Sequence, residues 1–377
     1  MNTHHLETVN TFRNVLLDSI KEQFVGKDDI VELLGVSLIA RENLFLYGPP
    51  GTAKSALVHA IAKRLKGRSF DYLLTRFTEP NELFGPFDIA KLKDGDLVTN
   101  TQGMLPEADL VFLDELFNAN SAILNNLLMA LNEKIFRRGK ETHHLPALCF
   151  VGASNNLPED KALDALFDRF LLRVNCGYVE DDQLRSVLTK GWQQEQQVIN
   201  EAIVTAEQIR DLQSLIPSVD LSSSTELYLE LIHKLRNAGI ELSDRRAVRL
   251  QRVIASSAIL SGRLVSKPTD LWVLCHIWSR EEQIEVLQSI VSSTLERFDA
   301  EPDDHPASKV TSLPNPEVLA AQVQALAKEL NEEVSESRGS TIPDEIRMIA
   351  SRVEWLPEGE GKVELNRQLG ELWAVLQ

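Results

Sequence analysis

The apolar positions follow a helical period at the start of the chain and form short continuous runs further on. Residues 6–24 carry apolar side chains at helical spacing, and a second helical pattern continues to Arg41. Five later segments are apolar for most of their length, as buried strands are: 44–47, 70–75, 110–114, 148–153 and 171–174. Helical or looped stretches separate these runs, so the pattern predicts an α/β fold in which a five-stranded parallel sheet lies between helices.

The strand pattern ends after Cys176. Residues 180–293 have helical patterns, and an acidic run with two prolines at 299–306 predicts a linker. The tail predicts three more helices with apolar stripes, at 315–336, 341–354 and 361–376. We expect these stripes to pack within the tail, with docking of a partner protein as the alternative. The expected domains are an α/β core at 1–178, an all-α domain at 179–293, and an acidic linker with a helical C-terminal region at 294–377.

Composition and charge narrow the classes of function. The 377 residues have a formal net charge of −17, which disfavours non-specific binding to nucleic acid or to anionic membranes. The sequence contains neither an apolar run of about 18 residues nor a signal-peptide pattern, so we expect a cytoplasmic protein without an integral membrane segment. The cysteines do not have metal-ligand spacing, and we expect them to be reduced.

A strand at 45–47 is followed by a loop and then by a run of good helix formers. The loop nearly matches the P-loop pattern, in which backbone N–H groups and a lysine bind phosphate oxygens. Its residues are Gly48, Pro49, Pro50, Gly51, Thr52, Ala53, Lys54 and Ser55. We expect Lys54 to contact the β- and γ-phosphates and Ser55 to hold Mg²⁺. Ala53 replaces the last glycine; because its methyl group is small and alanine favours the beginning helix, we expect an intact site.

Two further predicted strands end in polar residues. The strand at 110–114 ends in Asp114 and Glu115, where Asp114 would orient the water shell of Mg²⁺ and Glu115 would act as base toward the attacking water. The strand at 148–153 is followed by Asn155, whose amide would hydrogen-bond that water or the γ-phosphate. Acidic turns and strand-end asparagines are individually common, so the prediction of a nucleotide-hydrolysing site depends on their combination with the P-loop.

These segments, together with ALFDRF at 165–170 and LSDRR at 242–246, resemble the AAA+ ATPases over residues 27–290. The resemblance implies an AAA+ P-loop NTPase core with an all-α lid domain, and ATP and Mg²⁺ as cofactors. It implies that GPPGTAKS is the Walker A motif and LVFLDE the Walker B motif. Asn155 resembles the sensor 1 residue, and Asn156 is the alternative because the local spacing admits either.

The same resemblance assigns roles to two arginines. Arg169 resembles the arginine finger that reaches the nucleotide of a neighbouring subunit, and Arg245 resembles sensor 2, with Arg246 as its alternative. A finger requires planar, permanently charged donors, which arginine provides. The structural alternatives are an ion pair of Arg169 with Asp168 or Asp164, and an exposed Arg245 that faces Asp244.

Two insertions indicate which branch of the AAA+ ATPases the sequence resembles. A hairpin-like stretch at 87–102, turning at KDGD, resembles the insert of the helix-2-insert branch, and a second hairpin is predicted at 134–145, before the sensor 1 strand. Within that branch, the segments TRFTEPNELFGP and GMLPEADLVFLDE are most similar to those of MoxR proteins of the RavA group. This resemblance implies a hexameric ring that remodels or activates a target complex together with a von Willebrand factor A (VWA) domain protein. The helical tail departs from RavA proteins, which carry a β-rich domain there.

Two other functions remain open at this point. One is the ATPase subunit of a metal chelatase; chelatase subunits usually keep glycine before the P-loop lysine, so Ala53 disfavours it. The other is a DNA-translocating motor similar to MCM helicases. The lysines of the first hairpin are offset by aspartates, which disfavours DNA, whereas the second hairpin is more basic (Lys134, Arg137, Arg138 and Lys140).

Overall fold

The computed structural model describes most of the chain. It covers residues 1–93, 98–138, 141–158, 161–179, 181–194, 204–299, 301–309 and 360–376, with isolated positions between 319 and 353. Contacts between Cα atoms divide the chain into two compact units, Met1–Lys309 and Val310–Gln377. In the larger unit, buried side chains on both sides of residue 178 belong to one hydrophobic cluster.

A five-stranded parallel sheet forms the centre of the larger unit, which confirms the predicted fold class. The strands are β1 Leu44–Tyr47, β2 Leu65–Lys66, β3 Ser69–Leu73, β4 Leu110–Asp114, β5 Ile135–Arg138, β6 Glu141–His144, β7 Cys149–Ser154, β8 Leu172–Asn175 and β9 Val204–Thr205. The sheet has the order β3-β4-β7-β1-β8. Every residue of β7 is buried, as expected for a sheet covered on both faces. The C-terminal ends of these strands form the carboxyl edge, and their N-terminal ends form the amino edge.

Helices surround the sheet and form the part of the larger unit that follows it. They are α1 Thr3–Asn10, α2 Asp18–Gln23, α3 Asp28–Ala40, α4 Lys54–Arg64, α5 Pro80–Phe84, α6 Ile89–Lys93, α7 Ser121–Glu133, α8 Lys161–Phe167, α9 Asp181–Gln194, α10 Ala206–Ser214, α11 Ser222–Asn237, α12 Asp244–Leu260 and α13 Gln283–Leu295. A further helix, α14 Glu360–Leu376, belongs to the smaller unit. A π-helical segment, Thr11–Leu17, joins α1 to α2, so the predicted first helix is one continuous helical run. Between α12 and α13 the chain forms a 3₁₀ segment, Pro268–His276.

One of the two predicted hairpins is confirmed and the other differs. Strands β5 and β6 pair antiparallel, with Ile135 opposite His144, before β7 as predicted. In the first insertion, Phe87 and Thr99 form a single antiparallel bridge, and α6 lies between them. The sequence of α6, IAKLK, consists of good helix formers without strand alternation, which explains the helical turn. Residues 94–97, which include most of the predicted turn, lie outside the described residues.

The prediction that strands end after Cys176 is wrong by one short element. Strand β9 pairs in parallel with β2, and Leu65 lies opposite Val204. Each of these strands has two residues, so neither is long enough to show a strand pattern in the sequence.

The predicted linker at 299–306 is also wrong in part, because residues 301–309 belong to the larger unit and pack against the rest of it. We call these residues the strap. His305 is fully buried, and its ring stacks on Trp272 with 4.9 Å between centroids. The Thr269 hydroxyl donates to Asp304 Oδ1 (2.9 Å), and the Lys267 ammonium donates to Asp303 Oδ1 (2.6 Å). The acidic residues of the strap are therefore bound to side chains of the helical region, which an acidic composition does not reveal.

The smaller unit has a hydrophobic cluster of its own. Its described members are Leu319, Val323, Leu326, Ile346, Ile349, Val353, Leu365, Leu369 and Leu372. These positions include described residues of the predicted apolar stripes, which pack within the tail as expected. Most of the predicted helices at 315–336 and 341–354 lies outside the described residues, and α14 corresponds to the predicted third helix.

Candidate active site

The carboxyl edge brings the three polar segments together. Strands β4, β7 and β1 are neighbours in the sheet, so the residues that follow them lie side by side. Strand β1 leads into the P-loop, β4 ends at Asp114, and β7 ends at Ser154, one residue before Asn155. The arrangement follows from the parallel pairing that the apolar runs predict.

The P-loop holds Lys54 by contacts with its own backbone and with β7. The ammonium Nζ donates to the carbonyls of Gly48 (2.6 Å) and Pro49 (2.9 Å), and to Asn155 Oδ1 (2.9 Å). Gly48 has a φ of 149°, and a Cβ built there would lie 2.4 Å from the Cys176 carbonyl oxygen. The position therefore requires glycine, because the loop passes too close to the chain that follows β8.

Ala53 has a backbone conformation that the sequence did not reveal. Its φ is 66°, in the left-handed region, and it precedes α4 rather than belonging to it. Helix propensity therefore does not favour alanine here, contrary to our expectation. Glycine is common at this P-loop position because it adopts a left-handed conformation without a steric cost. The loop nevertheless adopts this turn with alanine, and the Lys54 and Ser55 side chains that follow it make specific contacts.

Ser55, Asp114, Glu115 and Asn155 form a connected set. The Ser55 hydroxyl donates to Asp114 Oδ2 (2.8 Å), and the Asn155 amide nitrogen donates to Glu115 Oε1. Asn155 thus links the carboxylate of Glu115 to the ammonium of Lys54. Burial and the nearby Asp114 carboxylate raise the pKa of Glu115 above its ordinary value. Asn156 is exposed and uses its backbone N–H to bind Ser154 Oγ (3.3 Å), so the geometry favours Asn155 for the sensor 1 position.

Next to the P-loop lies a cavity of about 180 Å³ that the sequence interpretation missed. It is lined by Gly26, Lys27, Asp29, Ile30, Val174, Asn175, Gly177, Tyr178, Cys275, His276, Trp278, Ile284 and Gln288. The Lys27 ammonium donates to the Gly177 carbonyl (2.5 Å), and the Tyr178 hydroxyl donates to the Pro50 carbonyl (3.4 Å). The lining of this cavity comes from segments far apart in the sequence, so local patterns did not predict it. A planar base attached to phosphates in the P-loop would fit here.

The two predicted arginines lie at the amino edge, away from the P-loop of their own chain. Asn43, which precedes β1, donates through Nδ2 to the carbonyls of Arg169 (3.0 Å) and Leu131 (3.2 Å). Arg245 Nη2 donates to Asn132 Oδ1 (2.8 Å), the residue after Leu131. The length of β1, about 13 Å, separates this edge from the P-loop.

Arg169 also makes the ion pair that the sequence offered as its alternative role. Its Nη1 lies 3.2 Å from Asp168 Oδ2. Arg246 is buried, and its Nη2 donates to the Ile277 carbonyl (2.8 Å); burial lowers its pKa. Arg245 therefore remains the exposed candidate for sensor 2, whereas Arg246 is a packing residue between α12 and the 3₁₀ segment.

The family of the chain follows from comparison with known proteins. Residues 10–214 match the family model bpMoxR, described as the MoxR domain in MoxR-vWA-beta-propeller ternary systems, and residues 225–291 match an AAA lid domain. The chain belongs to the MoxR-type AAA+ ATPases. The match to MoxR confirms the resemblance drawn from the motifs, and the grouping with RavA stays a prediction.

Individual relatives agree with this assignment. The uncharacterized protein MJ0812 of Methanocaldococcus jannaschii is 36% identical over 71% of this chain and 72% of its own. The chaperone MoxR1 of Mycobacterium tuberculosis is 26% identical over 48% of each chain. A crystal structure of a proposed ATPase from Cytophaga hutchinsonii has the same fold, with a TM-score of 0.62 at 20% identity, covering 78% of this chain and 96% of that one. Among the described residues, no helix has both the length and the apolar character needed to span a membrane.

Proposed function

We propose that this MoxR-type protein hydrolyses ATP and uses the energy to remodel or activate a target protein complex. The observation that carries the proposal is the convergence of Lys54, Ser55 with Asp114, and Glu115 with Asn155 at one edge of the sheet. In this arrangement Lys54 binds the phosphates and Glu115 acts as the base toward the attacking water. Asn155 holds that base in place and senses the γ-phosphate.

The donor set at the P-loop fits Mg²⁺. Ser55 Oγ and the Asp114 carboxylate, which lie 2.8 Å apart, are the hard oxygen ligands that Mg²⁺ prefers. Within the described part of the chain, no group of three His, Cys, Asp or Glu side chains has the geometry of a metal site. A magnesium ion beside Ser55 and Asp114 would be held by these two protein groups and completed by phosphates and water. When bound, the ion would neutralise charge on the phosphates.

The placement of the arginines supports a ring. Arg169 and Arg245 lie at the amino edge and therefore would act on the nucleotide of an adjacent copy. A contact between unlike edges gives a ring if successive rotations return to the first copy, and an open filament if they do not. We infer a homo-oligomeric, hexameric ring in the cytoplasm, with ATP held between adjacent copies.

The family description supports the nature of the partners. Because the matching model describes MoxR domains in ternary systems, we propose a VWA-domain protein and a β-propeller protein as partners. The relative MoxR1, named a chaperone, supports a remodelling role over metal chelation. The net charge of −17 also disfavours nucleic acid as a partner.

The experiment that tests this function measures ATP turnover with Mg²⁺, alone and with added VWA partner. We expect turnover that is lost in Lys54→Ala and stimulated by the partner. Duplex and single-stranded DNA serve as controls and are expected to have no effect. Stimulation by DNA that weakens with added salt would instead favour the translocating motor, and a chain without ATP turnover would contradict the proposal.

A further inference from the structure

Helix α9 carries an apolar stripe that faces solvent in the described structure. Leu184, Leu188 and Trp192 are spaced four residues apart, and their exposed fractions are 47%, 67% and 69%. Residues at this spacing lie on one side of a helix, so the stripe extends over about 12 Å. A surface helix normally buries its apolar side, and a stripe of this size is typical of an interaction surface.

The other side of α9 packs close to the nucleotide-binding region. The Gln183 side chain reaches Gly26, where an added Cβ would lie 2.3 Å from its Oε1. Gly26 lines the cavity beside the P-loop, as does Tyr178, which is 71% exposed and lies three residues before α9. Helix α9 therefore lies beside the cavity through Gln183, while its apolar stripe is exposed to solvent.

What covers the α9 stripe can be inferred from the groups that are missing at the candidate active site of a single copy. This step rests on the proposed function. The two arginines that would complete the site lie at the amino edge, so an adjacent copy must supply them. Such a copy has to approach the P-loop from solvent, beside α9. Its amino edge also carries an exposed apolar residue, because Val248 is 65% exposed and lies one turn from Arg245 on α12.

Charge complementarity agrees with this contact. Near the P-loop, Glu281, which accepts a hydrogen bond from the Tyr47 hydroxyl (3.1 Å), and Glu282 are exposed acidic residues. At the amino edge, Arg41 is exposed and lies two residues before Asn43, which binds the Arg169 carbonyl. The arginines of the amino edge lie beside Asp168 and Asp244, and in the contact they can exchange these partners for the exposed glutamates near the P-loop of another copy.

We propose that the α9 stripe is the apolar part of the contact between adjacent copies of this chain. The amino edge of one copy docks on α9 of the next, and the docking brings Arg169 and Arg245 toward the nucleotide. Burial of the leucines and Trp192 provides affinity, and the unlike charges provide orientation.

Assembly of the full-length chain tests the proposal. Sedimentation velocity is measured over a range of protein concentrations with Mg²⁺ and a non-hydrolysable ATP analogue. Leu188→Asp places a charge in the stripe, so we expect it to need about tenfold or more protein to assemble than the wild type. Ser186→Asp introduces the same charge at an exposed position outside the stripe and is expected to assemble as the wild type does. Binding of a fluorescent ATP analogue to the single chain is expected to be equal in all three.

Trp192 supplies a second measurement that does not depend on a disruptive substitution. We expect its emission to shift to shorter wavelength when nucleotide and rising protein concentration cause assembly, and the shift to be absent in Trp192→Phe. If the wild type assembles and Leu188→Asp assembles as readily, the α9 stripe does not lie in the contact between copies. That result would contradict this proposal but not the proposed ring, and the stripe would then be covered by another protein or by its own chain. If the wild type stays monomeric with nucleotide, both the proposal and the ring are overturned.

Discussion

At the scale of single residues, two left-handed backbone positions lie in the candidate active site. Ala53 (φ 66°) precedes α4, and Glu115 (φ 51°) follows β4. A residue with a Cβ pays a steric cost in this region, which the surrounding structure has to offset. Both residues are next to side chains that contact phosphate, metal or water in the proposed mechanism. The left-handed turn at Ala53 directs the Lys54 and Ser55 side chains toward the phosphate-binding region. The left-handed turn at Glu115 directs the Glu115 carboxylate toward the same region.

Replacement of Ala53 by glycine tests the steric cost. Ala53→Gly removes the Cβ at a left-handed position, so we expect it to raise the free energy of unfolding by up to about 1 kcal/mol. Ala56→Gly is the matched control: Ala56 is exposed in the first turn of α4, where glycine costs about 1 kcal/mol. In urea unfolding, we expect the free energy of unfolding to rise in Ala53→Gly and to fall in Ala56→Gly, each relative to the wild type. A loss of stability in Ala53→Gly would contradict it.

The base is tested at Glu115. Glu115→Gln keeps the hydrogen bond from Asn155 but cannot accept a proton, so ATP turnover is expected to fall by about 100-fold or more, with ATP binding retained. Because the pKa of Glu115 is raised, the carboxylate takes up a proton at a higher pH than an ordinary glutamate. Turnover in Glu115→Gln close to that of the wild type would exclude this residue as the base.

The sequence predicted which residues form this site, but it did not predict the cavity beside them or the backbone conformation of Ala53. Lys54, Ser55, Asp114 and Asn155 follow strands whose apolar runs are local, so parallel pairing alone places them together. The cavity beside the P-loop is formed by segments separated by more than two hundred residues, from Gly26 to Gln288, and local patterns do not encode such contacts. The left-handed Ala53 was missed because propensity describes helix interiors, whereas this residue lies before the helix.

At the scale of elements, the strap shows how a composition can mislead. Its acidic residues and prolines predict a linker, yet Asp304 and His305 are buried against the 3₁₀ segment and α3. His305 Nε2 lies 3.4 Å from Glu32 Oε2, and the Lys21 ammonium donates to the same carboxylate group. Side chains of α2, α3 and the 3₁₀ segment thus meet at one buried histidine. Residues of α3 and of the 3₁₀ segment also line the cavity beside the P-loop. The strap therefore packs against two of the elements that form this cavity.

The protonation of His305 makes the stability of this region depend on pH. Burial, followed by the charges of Arg13, Lys21 and Arg263, holds the pKa of His305 well below its ordinary value of 6.5. Below pH 6.5 the unfolded chain binds a proton that the folded chain does not, so the free energy of unfolding falls as the pH falls. The expected slope reaches about 1.4 kcal/mol per pH unit.

His305→Phe isolates this contribution because phenylalanine also stacks on Trp272 but does not titrate. Urea unfolding at pH 5.5 and pH 7.5 is expected to show a smaller loss of stability on acidification in His305→Phe than in the wild type. An equal loss in both would mean that His305 accepts its proton as readily in the folded chain as in the unfolded chain.

At the scale of the whole molecule, the described unit separates its chemistry between two edges of one sheet. The carboxyl edge holds Lys54, Glu115 and Asn155, and the amino edge holds Arg169 and Arg245. A single copy does not bring these groups together, whereas copies arranged in a ring would place one edge against the other. Sequence motifs identified both groups, but only the strand directions show that they lie at opposite ends of β1. Under the proposed function, this division would make ATP hydrolysis depend on assembly, which is the property expected of a remodelling motor.

The most direct test of this account is ATP turnover by a mixture of two inactive variants. Lys54→Ala lacks a functional P-loop but keeps Arg169, and Arg169→Ala keeps the P-loop but lacks the finger. We expect each variant alone to be inactive, and an equal mixture to recover about a quarter of wild-type turnover, because that fraction of random contacts joins an intact P-loop to an intact Arg169. A mixture that stays inactive, or an Arg169→Ala variant that turns over ATP at the wild-type rate, would contradict the account.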